Sequence, residues 1–387
     1  MIPYGKQSIS EADIAAVADV LRSDWITQGP SIEQFEKGLA AYCGAGFGVA
    51  VSNATAALHM ACLALQVGPG DLVWTSPNTF LASSNCALYC GAQVDFVDTD
   101  PDTYNMDVVQ LRHKLHTAKE AGRLPKVVIP VHFAGQSCDM MAIGALAQEF
   151  GFKVIEDASH AVGADYLDGK VGNGAFSDLT VFSFHPVKIL TTGEGGMVMC
   201  HSAAMQQTLL RLRSHGMTRD PGLMQESAPG AWQYEQIDLG YNYRMTDIQA
   251  ALGCSQLARL DQFVLQRRAL AARYDQLLAG LPLRCPVQAG FGRSAFHLYP
   301  IWIDQAASGK TRREVFDALR ASGIGVNVHY IPVYLQPYYR RLGFAPGLCP
   351  QAEHYYAGAI SLPMYFSLSE AEQDQVVAAV KAALGVA

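Results

Sequence analysis

GVAVSNATAALHMACLALQ, Gly48 to Gln66, is the stretch from which the fold can be read. A four-residue apolar run passes through Ser52 and Asn53 straight into a helical stretch, the pattern of a strand feeding a crossover helix. The unit recurs downstream. LVWTS leads to FLASSNCALYC and VVIPVHF to MMAIGALAQEF, while KVIED, LTVFSF and GGMVMC supply further apolar runs before Cys200. This alternation predicts a mostly parallel α/β sheet, in which ligands bind beyond the carboxyl ends of the strands. From about Met245 the chain reads as one long helix with no proline before Pro282. That helix would link the sheet domain to a smaller α/β segment whose expected strands are YPIWI and GVNVHY. The expected division is a large domain over 1–250, and a linking helix with a small C-terminal domain over 251–387.

Composition narrows the function classes. At 387 residues the chain exceeds what one simple core usually supports, and with 50% hydrophobic and 16% charged residues it reads as a packed globular protein. A net charge of −7 with no long basic run argues against a nucleic-acid surface or an anionic membrane, and leaves small anionic ligands open. MIPYGKQSIS has no charged-then-apolar leader and no stretch is long and apolar enough to span a bilayer, so a cytoplasmic protein is expected. The nine cysteines are scattered and read as reduced core thiols. Cys86 and Cys90 could share a helix face, but two thiols alone make a poor metal site, and no metal is expected.

Chemistry is sought where the apolar runs end. VSNATAAL (51–58) opens a helix with small side chains and hydroxyls, so backbone N–H groups and the helix dipole could hold a phosphate there; an ordinary N-cap would use the same residues. In KVIEDASHAVGA, Asp157 ends a run. A carboxylate in that place can keep a pyridine nitrogen protonated, or merely cap the next helix beside a solvated Glu156. His160 could bond a cofactor's phenolic oxygen or be a satisfied core histidine. FSFHPVKILTTGEGG (182–196) puts Lys188 thirty-one residues after Asp157, within reach of the same ligand. There it could form an imine with an aldehyde cofactor, with Ser183 as a phosphate donor, or it could be a surface lysine. The glycines of TTGEGG permit a tight turn and close backbone approach. Phe80 in SPNTFLASSN could stack on a ring or belong to the core.

Taken together, VSNATAAL, EDASHAVGA, FSFHPVKILTTGEGG and GYNYRMTDIQAALG, with WITQGP near the start, resemble the DegT/StrS-type nucleotide-sugar aminotransferases of pyridoxal-phosphate fold type I, over nearly the whole chain. The resemblance implies a large domain with a mostly parallel, seven-stranded-type sheet, a smaller C-terminal α/β domain, and a homodimer with shared active sites. It implies pyridoxal 5'-phosphate on Lys188, with Asp157 at the pyridine nitrogen and Phe80 stacked on the ring. Ala54, Thr55 and Ser183 go to the phosphate, His160 to a place often held by Gln, and Asn242 to the phosphate of the other subunit. Tyr4, Lys6, Thr27, Arg244, His329 and Tyr330 are implied substrate contacts. Arg244 could equally be a structural ion pair, and His329 and Tyr330 equally structural.

Within the family, IPYGKQSIS, FSFHPVK, LRSHGM, HYIPVYLQPYYRRLGF and EHYYAGAISLP are most similar to the pseudaminic acid branch. That branch aminates a UDP-linked 4-keto-6-deoxy-N-acetylhexosamine, with glutamate as the implied donor. The UDP-4-keto-pentose branch shares the FHxxK pattern and is the alternative. Lys188 speaks against the related sugar dehydratases, in which histidine replaces the lysine. No helix-turn-helix extension supports a non-catalytic cofactor-binding regulator.

Overall fold

The computed structural model describes residues 1–226 and 230–386. Its main sheet contains β1 (Phe47–Val51), β2 (Leu72–Thr75), β3 (Gln93–Phe96), β4 (Val127–Ile129), β5 (Lys153–Asp157), β6 (Leu179–Ser183) and β7 (Gly196–Cys200). The spatial order is β1-β7-β6-β5-β4-β2-β3. Strands β2 to β6 pair in parallel, and β7 alone runs against its neighbours β1 and β6. All six apolar runs anticipated from the sequence are strands. β3 was not anticipated, because QVDF alternates polar Gln93 and Asp95 with Val94 and Phe96 at the edge of the sheet.

Side-chain alternation divides the sheet between two cores. On one face Ala50, Trp74, Val128, Val154 and Phe182 meet helices α2 (Pro30–Cys43), α5 (Val108–Glu120) and α6 (Met140–Phe150). On the other, Val49, Val73, Val127, Ile155 and Val181 meet α3 (Ala54–Ala64), α4 (Ala82–Tyr89) and α7 (Ala203–Arg213). With both faces covered, the rim at the strand ends is where ligand-facing side chains can collect. The cysteines are free thiols.

The anticipated long helix is two helices, α8 (Asp247–Leu257) and α9 (Leu260–Leu277). The break at Ala258–Arg259 needs no proline. Arg259 leaves helical geometry at φ −110°, ψ 2° while its guanidinium bonds Asp13 at 3.3 Å and lies over Phe263 and Phe366. α9 then joins two cores: Leu260, Phe263 and Val264 pack with the large sheet, and Leu270, Ala271 and Tyr274 with a separate C-terminal core.

That second core surrounds an antiparallel sheet of Leu283–Arg284, Tyr299–Ile303 and Ala359–Leu362. YPIWI is a strand as expected. GVNVHY is not: Gly325 passes so close to Ile2 O that a Cβ would sit 2.8 Å from it, and Asn327 makes only an isolated bridge to Ser361. Freed from the sheet, the segment carries His329 and Tyr330 toward the large domain, where Asn78 Oδ1 accepts the Tyr330 N–H at 3.1 Å. Among the described residues, no helix is long and apolar enough to cross a membrane.

Candidate active site

The ends of β5 and β6, the start of α3 and the His329–Tyr330 segment enclose a cavity of about 920 Å³. Ten of the residues singled out from the sequence line it: Tyr4, Ala54, Thr55, Phe80, Asp157, His160, Ser183, Lys188, His329 and Tyr330. Topology brings Asp157 and Lys188 together. β5 and β6 are parallel neighbours with Asp157 opposite Val181, so the loop after Ser183 returns Lys188 over the end of β5. The intervening residues make a small hairpin rather than a helix.

At the start of α3, Asn53 caps the helix through Oδ1 to the Ala56 N–H at 2.8 Å, and its carbonyl accepts from Ala57. The first two residues of the helix, Ala54 and Thr55, border the cavity with Ser183. A helix start of small residues with two backbone N–H groups and two hydroxyls at the wall suits a phosphate. Gly196 makes this approach possible, since a Cβ there would stand 2.7 Å from Ala54 N.

Asp157 is 4% exposed, yet its carboxylate is well supplied with donors: Ser159 N–H reaches Oδ1 at 3.1 Å and Ser83 Oγ reaches Oδ2 at 2.6 Å. Its neighbour Glu156 is not solvated as the capping interpretation would have it. It is buried on the opposite face and accepts from His132 at 2.7 Å, Thr180 at 3.1 Å and Ser177. Burial lowers the Lys188 amine to about 8, and the Asp157 charge partly opposes the shift. An amine so poised is unprotonated in about a tenth of the molecules at pH 7, far more than an ordinary lysine, which favours its use as a nucleophile.

His160 accepts the Ala134 N–H at Nδ1 (3.3 Å), which leaves Nε2–H to donate to Tyr330 Oη at 3.2 Å. Burial, aided by Lys188 and His329, holds His160 well below the ordinary histidine range, so it stays neutral. His329 is likewise pushed down to about 3 by burial and by Lys188. Asn327 donates to its Nε2 at 3.4 Å, and Nδ1–H donates to Ser361 Oγ at 2.8 Å. Phe80 is 58% exposed, which leaves a ring face open to a planar partner.

Lys6, Thr27, Asn242 and Arg244 lie outside this cavity. Lys6 is exposed. Thr27 bridges Thr246, Arg244 bridges Val51 and Asn242 bridges Ser214. In this extended strip Tyr243 turns inward to His59 (3.1 Å), and the alternation directs Asn242 and Arg244 the other way. Ser83, Thr79 and His297 also line or support the site and were not singled out. Ser83 sits three residues after Phe80, at a helix start where a serine reads as routine capping.

The lysine, the buried carboxylate, the helix-start cradle and the open aromatic fit pyridoxal phosphate without a clash of charge. Fold and site define a pyridoxal-phosphate-dependent transaminase of fold type I. Over residues 7–381 the chain matches the DegT/DnrJ/EryC1/StrS aminotransferase family, and it belongs to that family. It is 41% identical over 385 residues to the spore coat polysaccharide biosynthesis protein SpsC of Bacillus subtilis, covering 98% of this chain and 96% of that one. Among solved structures, a putative sugar aminotransferase of Streptococcus pneumoniae in its PMP form superposes with a TM-score of 0.90 at 31% identity, covering 100% and 99% of the chains. The same protein is also known in a PLP form. Helicobacter pylori PseC, an aminotransferase of pseudaminic acid biosynthesis, matches with a TM-score of 0.90 at 28% identity, covering 99% of each chain. The protein is thus a sugar aminotransferase whose cofactor is pyridoxal 5'-phosphate.

Proposed function

We propose that the protein aminates C4 of a UDP-linked 4-keto-6-deoxy-N-acetylhexosamine, with glutamate as donor, in the manner of the pseudaminic acid branch. The observation that carries a transaminase assignment is the convergence of Lys188, Asp157 and the α3 start on one cavity. The sugar assignment is supported by the whole-chain likeness to PseC and by a cavity large enough for a cofactor and a sugar side by side. Pyridoxal phosphate, when bound, supplies the aldehyde that carries nitrogen between donor and sugar and the ring that accepts electrons.

The remaining roles belong to side chains of the protein. The Lys188 amine would hold the cofactor at rest and, once displaced, move the protons of the exchange, removing one from the α-carbon of the amino donor and delivering one to C4 of the sugar. Asp157 keeps the pyridine nitrogen protonated, Phe80 covers the ring, and neutral His160, whose one N–H is given to Tyr330 Oη, stands beside the phenolic oxygen. Ala54, Thr55 and Ser183 hold the phosphate. Asn242 reaches the phosphate of the partner's site, and Arg244, Thr27 and Lys6 approach substrate across the same boundary. Residues 1–250 act as the cofactor domain, while 251–387 contribute His329 and Tyr330 beside Tyr4 to the sugar pocket.

Purified protein, glutamate and a panel of UDP-4-keto sugars test this, with product masses read. A mass gain corresponding to amination of the 6-deoxy-N-acetylhexosamine is expected. Amination confined to the UDP-4-keto-pentose would transfer the assignment to that branch.

A further inference from the structure

Behind Asp157 lies a pair of hydroxyls, Ser83 outside the lining of the cavity and Thr79 at its wall. Ser83 is fully buried and Thr79 is 3% exposed, and both come from the turn that opens α4. Ser83 Oγ lies 2.6 Å from Asp157 Oδ2 and 2.6 Å from Thr79 Oγ1. A hydroxyl has one proton to give. The ionised carboxylate can only accept, so the Ser83 proton goes to Asp157, and the short Thr79 contact is filled by the Thr79 proton pointing at Ser83. The chain therefore has one direction, Thr79 to Ser83 to Asp157, and each link polarises the next. The alternative acceptor for Ser83, the Phe80 carbonyl, is farther at 3.3 Å.

We infer that Ser83, fed by Thr79, is a positioning residue that fixes the aim of the Asp157 carboxylate and limits its basicity toward the pyridine nitrogen. This rests on the reading of Asp157 given above. With the Ser159 N–H on Oδ1 and Ser83 on Oδ2, each oxygen is tied once, and the plane of the carboxylate is set by protein alone. A donor on a carboxylate stabilises its charged form and lowers its proton affinity. Without Ser83, more of the charge is directed at the ring, which favours the protonated forms of the bound cofactor. The turn that fixes Ser83 also carries Phe80, so ring stacking and carboxylate aim depend on one stretch of backbone.

The test is a pH titration of the visible absorbance of the holoenzyme. Ser83→Ala is expected to raise the midpoint by about half a unit or more. Ser83→Thr, which restores the hydroxyl, should return it to the parental value, and Thr79→Val should shift it in the same direction by less. A part played only in folding would lower the melting temperature and leave the midpoint in place. An unchanged or lowered midpoint in Ser83→Ala overturns the inference. If that variant does not retain cofactor, an unmoved midpoint in Thr79→Val overturns it instead. Asp157→Asn is the control: if it leaves the midpoint unmoved, the assignment of Asp157 to the ring fails, and if it moves the midpoint while Ser83→Ala does not, only the role of Ser83 fails.

Discussion

At the scale of single residues, Lys188 carries the largest consequence. Burial depresses its amine to about 8 against an ordinary 10.5, so without cofactor the folded chain binds this proton more weakly than the unfolded chain does. Between those two values the unfolded state holds more protons, and stability therefore rises with pH through that window; below about 8 the full penalty applies. Lys188→Met removes the penalty. The cofactor-free variant should melt higher than the cofactor-free parent at pH 7, by roughly 2 °C or more, with the gain shrinking toward pH 10.5. The same variant should lose the absorbance of bound cofactor and its turnover. Thermal scans at the two pH values check the first expectation, and a variant that melts below the parent at pH 7 contradicts it.

Elements explain why a short motif can build a site. In TTGEGG, Gly193 adopts φ +80°, the left-handed turn that sends the chain back as β7. Gly196 begins that strand, and a Cβ on it would stand 2.7 Å from Ala54 N and 2.8 Å from Asn53 O. The glycine thus lets β7 lie against the first turn of α3, where the phosphate cradle is expected. Gly196→Ala must push that turn aside, at a cost of about 1–3 kcal/mol, and should weaken cofactor retention more than it alters overall secondary structure. Fluorescence titration with pyridoxal phosphate alongside urea unfolding measures both effects. Retention equal to the parent would show that the cradle lies elsewhere.

The same scale shows what the sequence made legible. The six apolar runs of the large sheet could be read because their strands are buried on both faces and carry charge in β5 alone, at Lys153, Glu156 and Asp157. β3 escaped because an edge strand tolerates Gln93 and Asp95. The helix break at Arg259 escaped because its cause is tertiary, a guanidinium held by Asp13 from the far N-terminus. GVNVHY has the composition of a strand, but Asn78 and Ser361, distant in sequence, draw its end into the cavity. Ser83 could not be weighted without the fold, since its partner Asp157 is 74 residues away.

At the scale of the whole molecule, Asn242 is exposed and turned away from the cavity of its own chain, and Arg244 shares that alternation. Large apolar side chains flank this strip: Trp25 and Ile26 are 58% and 51% exposed beside Thr27, while Leu239 is 78% exposed just before Asn242. An apolar surface of this kind around a polar strip would suit a second subunit. If two copies pair about a twofold axis, each can lend Asn242 to the other's phosphate. Lys188→Ala and Asn242→Ala would then damage different subunits' contributions to one site. In a mixed dimer one site inherits both defects and the other neither, so after equal mixing and full exchange about a quarter of parental activity should return, one intact site in half of the dimers. Subunit exchange is verified separately with tagged chains. If exchange is complete, both parents are inactive and the mixture stays inactive, Asn242 serves its own subunit's site and the two cavities are independent.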